Sequence, residues 1–318
     1  MHPRHNGLTM SGDAMTPIRA LVTATDFSTS AQAGLAWGRA LAEAHGAALH
    51  VVHVVPALPV ASGRLLITPE LARAFVEAAE ERLEEAVGGW REGGLEVVGH
   101  VETGSADEGI VEVAQRVNAD ALVLSTRGHS GLRNLLSGSI ARRVVRRSPC
   151  PVLTVHPESL GPVTSPATVL AAVDFSSHSL AAVRNALALL PPARGARLRI
   201  LHARYLPVGL EIYGYGSSAE LTGALAENRE EVAARLEELA QTLRRPGLEV
   251  DTRLVQGFPD AAILSEAQAV GADLVAMGTQ GLGGVERWIL GSVAERVVQQ
   301  ASCPVLTARV PETESGAG

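Results

Sequence analysis

Short runs of β-branched and aliphatic residues alternate along the chain with longer stretches in which apolar residues recur every three or four positions. In the first half the apolar runs are Ile18–Ala24, Ala48–Val55, Leu95–Val101, Ala121–Leu124 and Val152–Val155. Between them the spacing predicts helices over about 29–45, 69–88, 105–118 and 139–147, the second reading ELARAFVEAAEERLEEAV. The second half repeats the apolar runs at Val169–Val173, Leu198–Ala203, Leu248–Val255, Leu274–Met277 and Val305–Ala308. Strand, helix and strand in repetition predict the α/β class, with a parallel sheet covered on both faces. Five strands per half predict two tandem doubly wound, Rossmann-like five-stranded domains.

The two halves are also alike residue by residue. The segments 122–156 and 274–308 are alike, and within them Gly138 and Gly291, and Cys150 and Cys303, are each 153 positions apart. Gly104, Asp107 and Asp120 fall on Gly257, Asp260 and Asp273 at the same offset. Near the start of each half LVTATDFSTS (21–30) matches LAAVDFSSHS (170–179), placing Asp26 opposite Asp174 at an offset of 148. A period this long is a whole duplicated domain and not a solenoid unit. The Pro-rich seam PESLGPVTSPA (157–167) separates expected domains at 18–156 and 168–310, with loose tails at 1–17 and 311–318.

Composition removes several chemistries. All 27 basic residues are arginine, so there is no Schiff-base lysine and no lysine of a Walker A or kinase type. Any phosphate must be held by backbone amides, hydroxyls or arginine. A formal charge of −7 and 3% aromatic residues argue against a nucleic-acid binder. Two cysteines are too few for a disulfide framework, no 18-residue apolar run is present, and the polar N-terminus has no signal-peptide core. The expectation is a cytoplasmic protein without membrane or nucleic-acid partners.

In doubly wound sheets ligands bind beyond the carboxyl ends of the strands, where the winding reverses. In the second half the first strand ends at Asp174 and the fourth at Met277-Gly278; if those strands are neighbours, the carboxylate and the glycine loop face one crevice. Gly278 and Gly281 are followed after nine residues by Gly291-Ser292, which opens a helix. Glycines allow close backbone approach, and a helix N-terminus offers unpaired amides and the positive end of its dipole, a phosphate cradle that needs no lysine.

The spacing of Gly278, Gly281, Gly291 and Ser292, the Val173-Asp174-Phe175-Ser176 turn and the closing Cys303–Thr307 segment resemble the universal stress proteins of the tandem, ATP-binding kind, over Ile18 to Arg309. The resemblance implies an adenine nucleotide alpha hydrolase-like fold and an ATP site, with or without Mg2+. By motif position Asp174 would bond the ribose hydroxyls and the Ala203 backbone would face the adenine. Gly278 and Gly281 would contact ribose and phosphate, and Gly291 with Ser292 the terminal phosphates. It implies that the closing strands of the halves pair across a pseudo-twofold, an intramolecular dimer; association of two chains stays open. It also implies a stress-response or signalling module.

The first half carries Asp26, Val54, Gly128, Gly138 and Ser139 at the matching places, but Ser125 stands where the first glycine belongs. If that position requires positive φ, serine costs about 1–2 kcal/mol and the first site is the weaker; otherwise Ser125 adds a hydroxyl donor. No dedicated base is present, so at most slow ATP hydrolysis is expected and no catalytic or metal-ligating residue is assigned. An enzyme of nucleotidyl-transfer or ATP-hydrolysing type is the alternative, although its H-I-G-H or S-G-G-x-D-S signature is missing. A solvated face is expected for Arg142, Arg143, Arg146 and Arg147, core thiols for the cysteines, and core or pocket-lining roles for His53 and His202. The loops 56–68 and 206–218 diverge most between the halves.

Overall fold

The computed structural model describes residues 17–57, 68–126, 139–159, 161–162, 167–190, 195–204, 219–280 and 290–310. The first half runs β1 (Ala20–Ala24), α1 (Ala31–His45), β2 (Ala48–Pro56), α2 (Pro69–Glu92), β3 (Val97–Gly104), α3 (Ala106–Arg116), β4 (Ala121–Ser125), α4 (Ser139–Arg147) and β5 (Val152–Val155). The second repeats it as β6 (Thr168–Ala172), α5 (Ser177–Leu189), β7 (Ala196–Arg204), α6 (Ala219–Leu243), β8 (Leu248–Gln256), α7 (Pro259–Val270), β9 (Leu274–Gly278), α8 (Ser292–Gln300) and β10 (Val305–Ala308). Central strands such as β4, ALVLS, and β9, LVAMG, are apolar without alternation because helices cover both sides of the sheet.

All ten strands form one sheet in the order β3-β2-β1-β4-β5-β10-β9-β6-β7-β8. Every pairing is parallel except β5 with β10, which joins the halves antiparallel with Leu153 opposite Leu306. Leu153 and Leu306 are themselves counterparts at the 153 offset, so the pseudo-twofold passes between them. The Thr154 hydroxyl donates to the Val305 carbonyl at 3.0 Å, and its counterpart Thr307 donates to Val152 at 3.3 Å. The expected cross-half pairing is therefore present, and it covers two strand edges that would otherwise lie open. One apolar cluster runs from Leu21 and Leu49 through Leu153 and Leu306 to Leu198 and Leu239, crossing the seam.

The repeated polar residues each hold a joint. The Asp120 carboxylate accepts the amides of Arg19 and Ala20, and Asp273 that of Thr168, fixing the start of β1 and β6 beside the neighbouring strand. Gly104 and Gly257 sit at φ 129° and 152°, closed to other residues. Asp107, buried at the start of α3, takes Arg143 at 3.0 Å and Arg147 at 3.4 Å; its counterpart Asp260 takes Arg296 at 2.8 Å. Arg142, Arg143 and Arg147 of α4 are thus tied to neighbouring helices, Arg142 reaching Glu295 of α8, across the join of the halves, at 2.7 Å.

Candidate functional site

Within each half the strand order reverses at the first strand: β6 lies between β9 and β7, and β1 between β4 and β2. Ala172, the last residue of β6, pairs with Met277 of β9 and with Leu201 of β7, so Asp174 follows the end of β6 between the carboxyl end of β9, at Gly278, and that of β7, near Ala203. The condition set by the sequence, that the first and fourth strands be neighbours, is met. Asp26, Val54 and Ser125 meet in the same way at β1, β2 and β4.

The turn after β6 is a built carboxylate mount. Asp174 Oδ1 accepts the Ser176 amide at 3.0 Å and the Ser176 hydroxyl at 2.6 Å. Ser176 is the N-cap of α5, its oxygen accepting the Ser179 amide at 3.2 Å. The cap is therefore Ser176, and Asp174 is free of capping duty. Burial pushes the Asp174 carboxyl up, but the bonds from Ser176 and Ser179 outweigh it and hold the group below its ordinary value, ionised at neutral pH. Both Ser176 bonds fall on Oδ1, so the carboxylate is held at the end of β6 through one oxygen. Asp26 and Ser28 repeat the arrangement, Ser28 accepting the Ala31 amide at 3.2 Å.

Between the aspartate and the serine the chain is strained. Phe175 sits at φ 64° and Phe27 at φ 59°, left-handed values that cost an ordinary side chain energy. Each is clamped. The Arg235 guanidinium lies 4.1 Å from the Phe175 ring centre and the His202 ring 5.3 Å from it; Arg82 and His53 flank Phe27 at 4.5 and 4.3 Å. His202 Nδ1 donates to the Val173 carbonyl at 2.7 Å and His53 Nδ1 to that of Thr25 at 2.9 Å, which locks ring and turn together. Both histidines are thus packed, partly buried, against the Phe turns. The clamp as a whole escaped the sequence reading; the signal for it is the recurrence of Phe, His and Arg at 27, 53 and 82 and again at 175, 202 and 235.

The opposite wall is β9 and α8. Gly278 closes β9, and a Cβ placed on it would come within 2.9 Å of the Ser179 amide nitrogen and 3.0 Å of His178 Cβ. The glycine is needed for the approach of the α5 N-terminus. Gly278 is absent from the positive-φ residues, and so is Ser125. The strain argument for Ser125 therefore lapses; in the first half the space is made on the helix instead, where a Cβ on Gly34 would meet the Ser125 nitrogen at 2.9 Å. Ser125 Oγ and Thr279 Oγ1 are buried with no hydrogen-bond partner.

Gly291 donates its amide to Thr279 O at 2.9 Å and caps α8 without a side-chain bond. Its N–H is thus committed to closing the loop, and the first-turn amides of Ser292, Val293 and Ala294 are the ones left without a backbone acceptor among the described residues. Ionised carboxylate on one wall and open helix amides on the other suit a ligand with hydroxyls at one end and an anion at the other. Gly281, Gly128 and Gly138 lie outside the described residues; Ser139 begins α4.

The sequence model of the Universal stress protein family matches residues 17–156 and again 167–309. The chain belongs to this family. A universal stress protein of Mycolicibacterium smegmatis is 28% identical over 301 residues, covering 91% of this chain and 96% of its own length. One from Thermus aquaticus is 41% identical over 144 residues, 98% of its length and 45% of this chain. The crystal structure of a universal stress protein from Archaeoglobus fulgidus covers 91% of this chain and 98% of its own, with a TM-score of 0.61 at 22% identity, which shows the shared fold. The halves of this universal stress protein join through their last strands.

The cysteines of this universal stress protein sit just before those strands. Burial pushes both thiols up to about 11, so Cys150 and Cys303 stay protonated and inert near neutrality, in keeping with core roles.

Proposed function

We propose that this universal stress protein binds ATP at the carboxyl ends of its strands and serves as a nucleotide-dependent stress-response module, in the cytoplasm, with at most slow hydrolysis. The observation that carries the reading is the ionised Asp174 carboxylate, mounted on Ser176 at the switch point, together with the open first turn of α8. Ribose hydroxyls would donate to Asp174, the base would lie against the backbone at Ala203, and phosphate would rest on the amides of Ser292–Ala294, with Gly278, Gly281 and Gly291 allowing close approach. Asp26, Val54, Ser125, Gly128, Gly138 and Ser139 would form the same site in the first half. Bound Mg2+ would offset phosphate charge. The chain's own residues supply no lysine for the transferring phosphoryl group, which supports a bound rather than turned-over nucleotide.

The test is calorimetric titration of ATP into the intact chain and into Asp174→Asn. Loss of the charged acceptor is expected to weaken ATP in the second half about tenfold or more, leaving the first unaffected. Unchanged affinity in the variant would refute the assignment.

A further inference from the structure

At the rim of the second half, β7, β8 and α6 border an open cavity of about 150 Å³ lined by Arg204, Arg229, Leu254, Val255 and Gln256, of which Arg229 and Gln256 are exposed. That is far more than the roughly 10–15 Å³ a single water needs. Arg204 ends β7, and its Nη2 donates to Asn228 Oδ1 of α6 at 2.9 Å, which steadies the guanidinium beside Arg229. Arg229 makes no ion pair or hydrogen bond among the described residues, and no carboxylate is among the described residues lining the cavity.

The cavity is distinct from the switch-point crevice. Its lining shares no residue with that crevice, and Arg204 reaches Asn228 of α6, whereas the open amides of the crevice belong to α8. It also belongs to one half alone. The counterparts of Arg204 and Arg229 are Val55 and Val76, and those of Leu254, Val255 and Gln256 are Val101, Glu102 and Thr103. Two guanidiniums have replaced two valines, and an acid is gone from the wall.

The geometry points to an oxyanion subsite in this cavity, built by Arg204, Arg229 and the Gln256 amide to take the phosphate or carboxylate group of a small ligand. Planar guanidinium forks match such groups through paired charge-assisted hydrogen bonds, and Leu254 and Val255 supply the apolar side of the pocket. The subsite does not depend on nucleotide binding at Asp174.

Inorganic phosphate titrated into the ¹⁵N-labelled chain, against chloride at matched ionic strength, tests it. Saturable amide shifts confined to Arg204, Asn228, Arg229 and Leu254–Gln256 are expected. Arg204→Gln and Arg229→Gln should each weaken phosphate about tenfold, whereas Arg39→Gln, an exposed arginine elsewhere, should not. Sodium acetate in place of phosphate separates the two sources: matching shifts support a carboxylate ligand, silence a phosphate ligand. Asp174→Asn should leave the shifts intact whether or not ATP binding survives. Shifts scattered over surface arginines, no saturable shift at tens of millimolar phosphate (on the order of 3 kcal/mol or less of binding), or undiminished affinity in both glutamine variants would overturn the subsite.

Discussion

Gly278 and Ser125 occupy the same place in two copies of one domain, and the structure separates two reasons for a glycine that a sequence runs together. The demand at 278 is space, with backbone atoms of α5 at 2.9 Å from any added Cβ, and not positive φ. Gly278→Ala is therefore expected to destabilise the chain by about 1–3 kcal/mol in urea unfolding, with the cost arising from overpacking. Ser125→Gly relieves no strain, so ATP affinity in the first half should change by less than about threefold; a tenfold gain in calorimetry would restore the strain account. The histidines set a pH limit. Burial lowers His50, His53, His100 and His178 below 6.5, with His50 Nδ1 and His100 Nε2 sharing a proton at 2.9 Å. Neutral in the folded chain, they take up protons on unfolding once the pH drops through 6.5, so the unfolded state binds more protons there. Stability is full above that value and falls as the pH goes below it. The urea midpoint at pH 5.5 should lie below that at pH 7.5, and His100→Gln should flatten the dependence.

At the scale of elements, the joins between helices carry the asymmetry of the two halves. Arg142 of α4 and Glu295 of α8 are counterparts at the 153 offset, yet they form an ion pair with each other across the pseudo-twofold. A symmetric pair of identical domains would place like residues there; duplication within one chain allows opposite charges. Both side chains are about one-third exposed (34% and 32%), so the coupling is modest, about 0.5–1 kcal/mol. Arg142→Glu should destabilise the chain and Arg142→Glu with Glu295→Arg should recover it, as read by a double-mutant cycle; additive losses would show that the pair is uncoupled. The elements themselves were legible, because apolar runs and helical spacing survive twice over, and the neighbours of Asp174 followed from doubly wound topology. The clamp of Arg235 and Arg82 was not, since α6 and α2 reach the Phe turns only through the fold, from residues 60 and 55 positions away. Nor was the α4 ion-pair network, since a run of arginines reads the same whether solvated or bridging.

For the whole molecule, the antiparallel join of β5 and β10 makes one ten-stranded sheet with an apolar cluster common to both halves. The halves are expected to unfold together, in a single calorimetric transition, and Leu306→Ala at the join should lower stability by about 2–5 kcal/mol while keeping that transition single. Two resolved transitions in the unaltered chain would mean that the halves are energetically separate. The central claim is that this sheet carries adenine nucleotide at its switch points. Its most direct measurement is to purify the intact chain without added nucleotide, denature it, and identify and quantify what is released per chain. Between one and two equivalents of ATP or ADP, reduced by Asp174→Ala, is the predicted result. Nothing released, together with no calorimetric ATP binding at millimolar concentration (a binding free energy weaker than about 4 kcal/mol), would contradict it and leave protein contacts as the function of the fold.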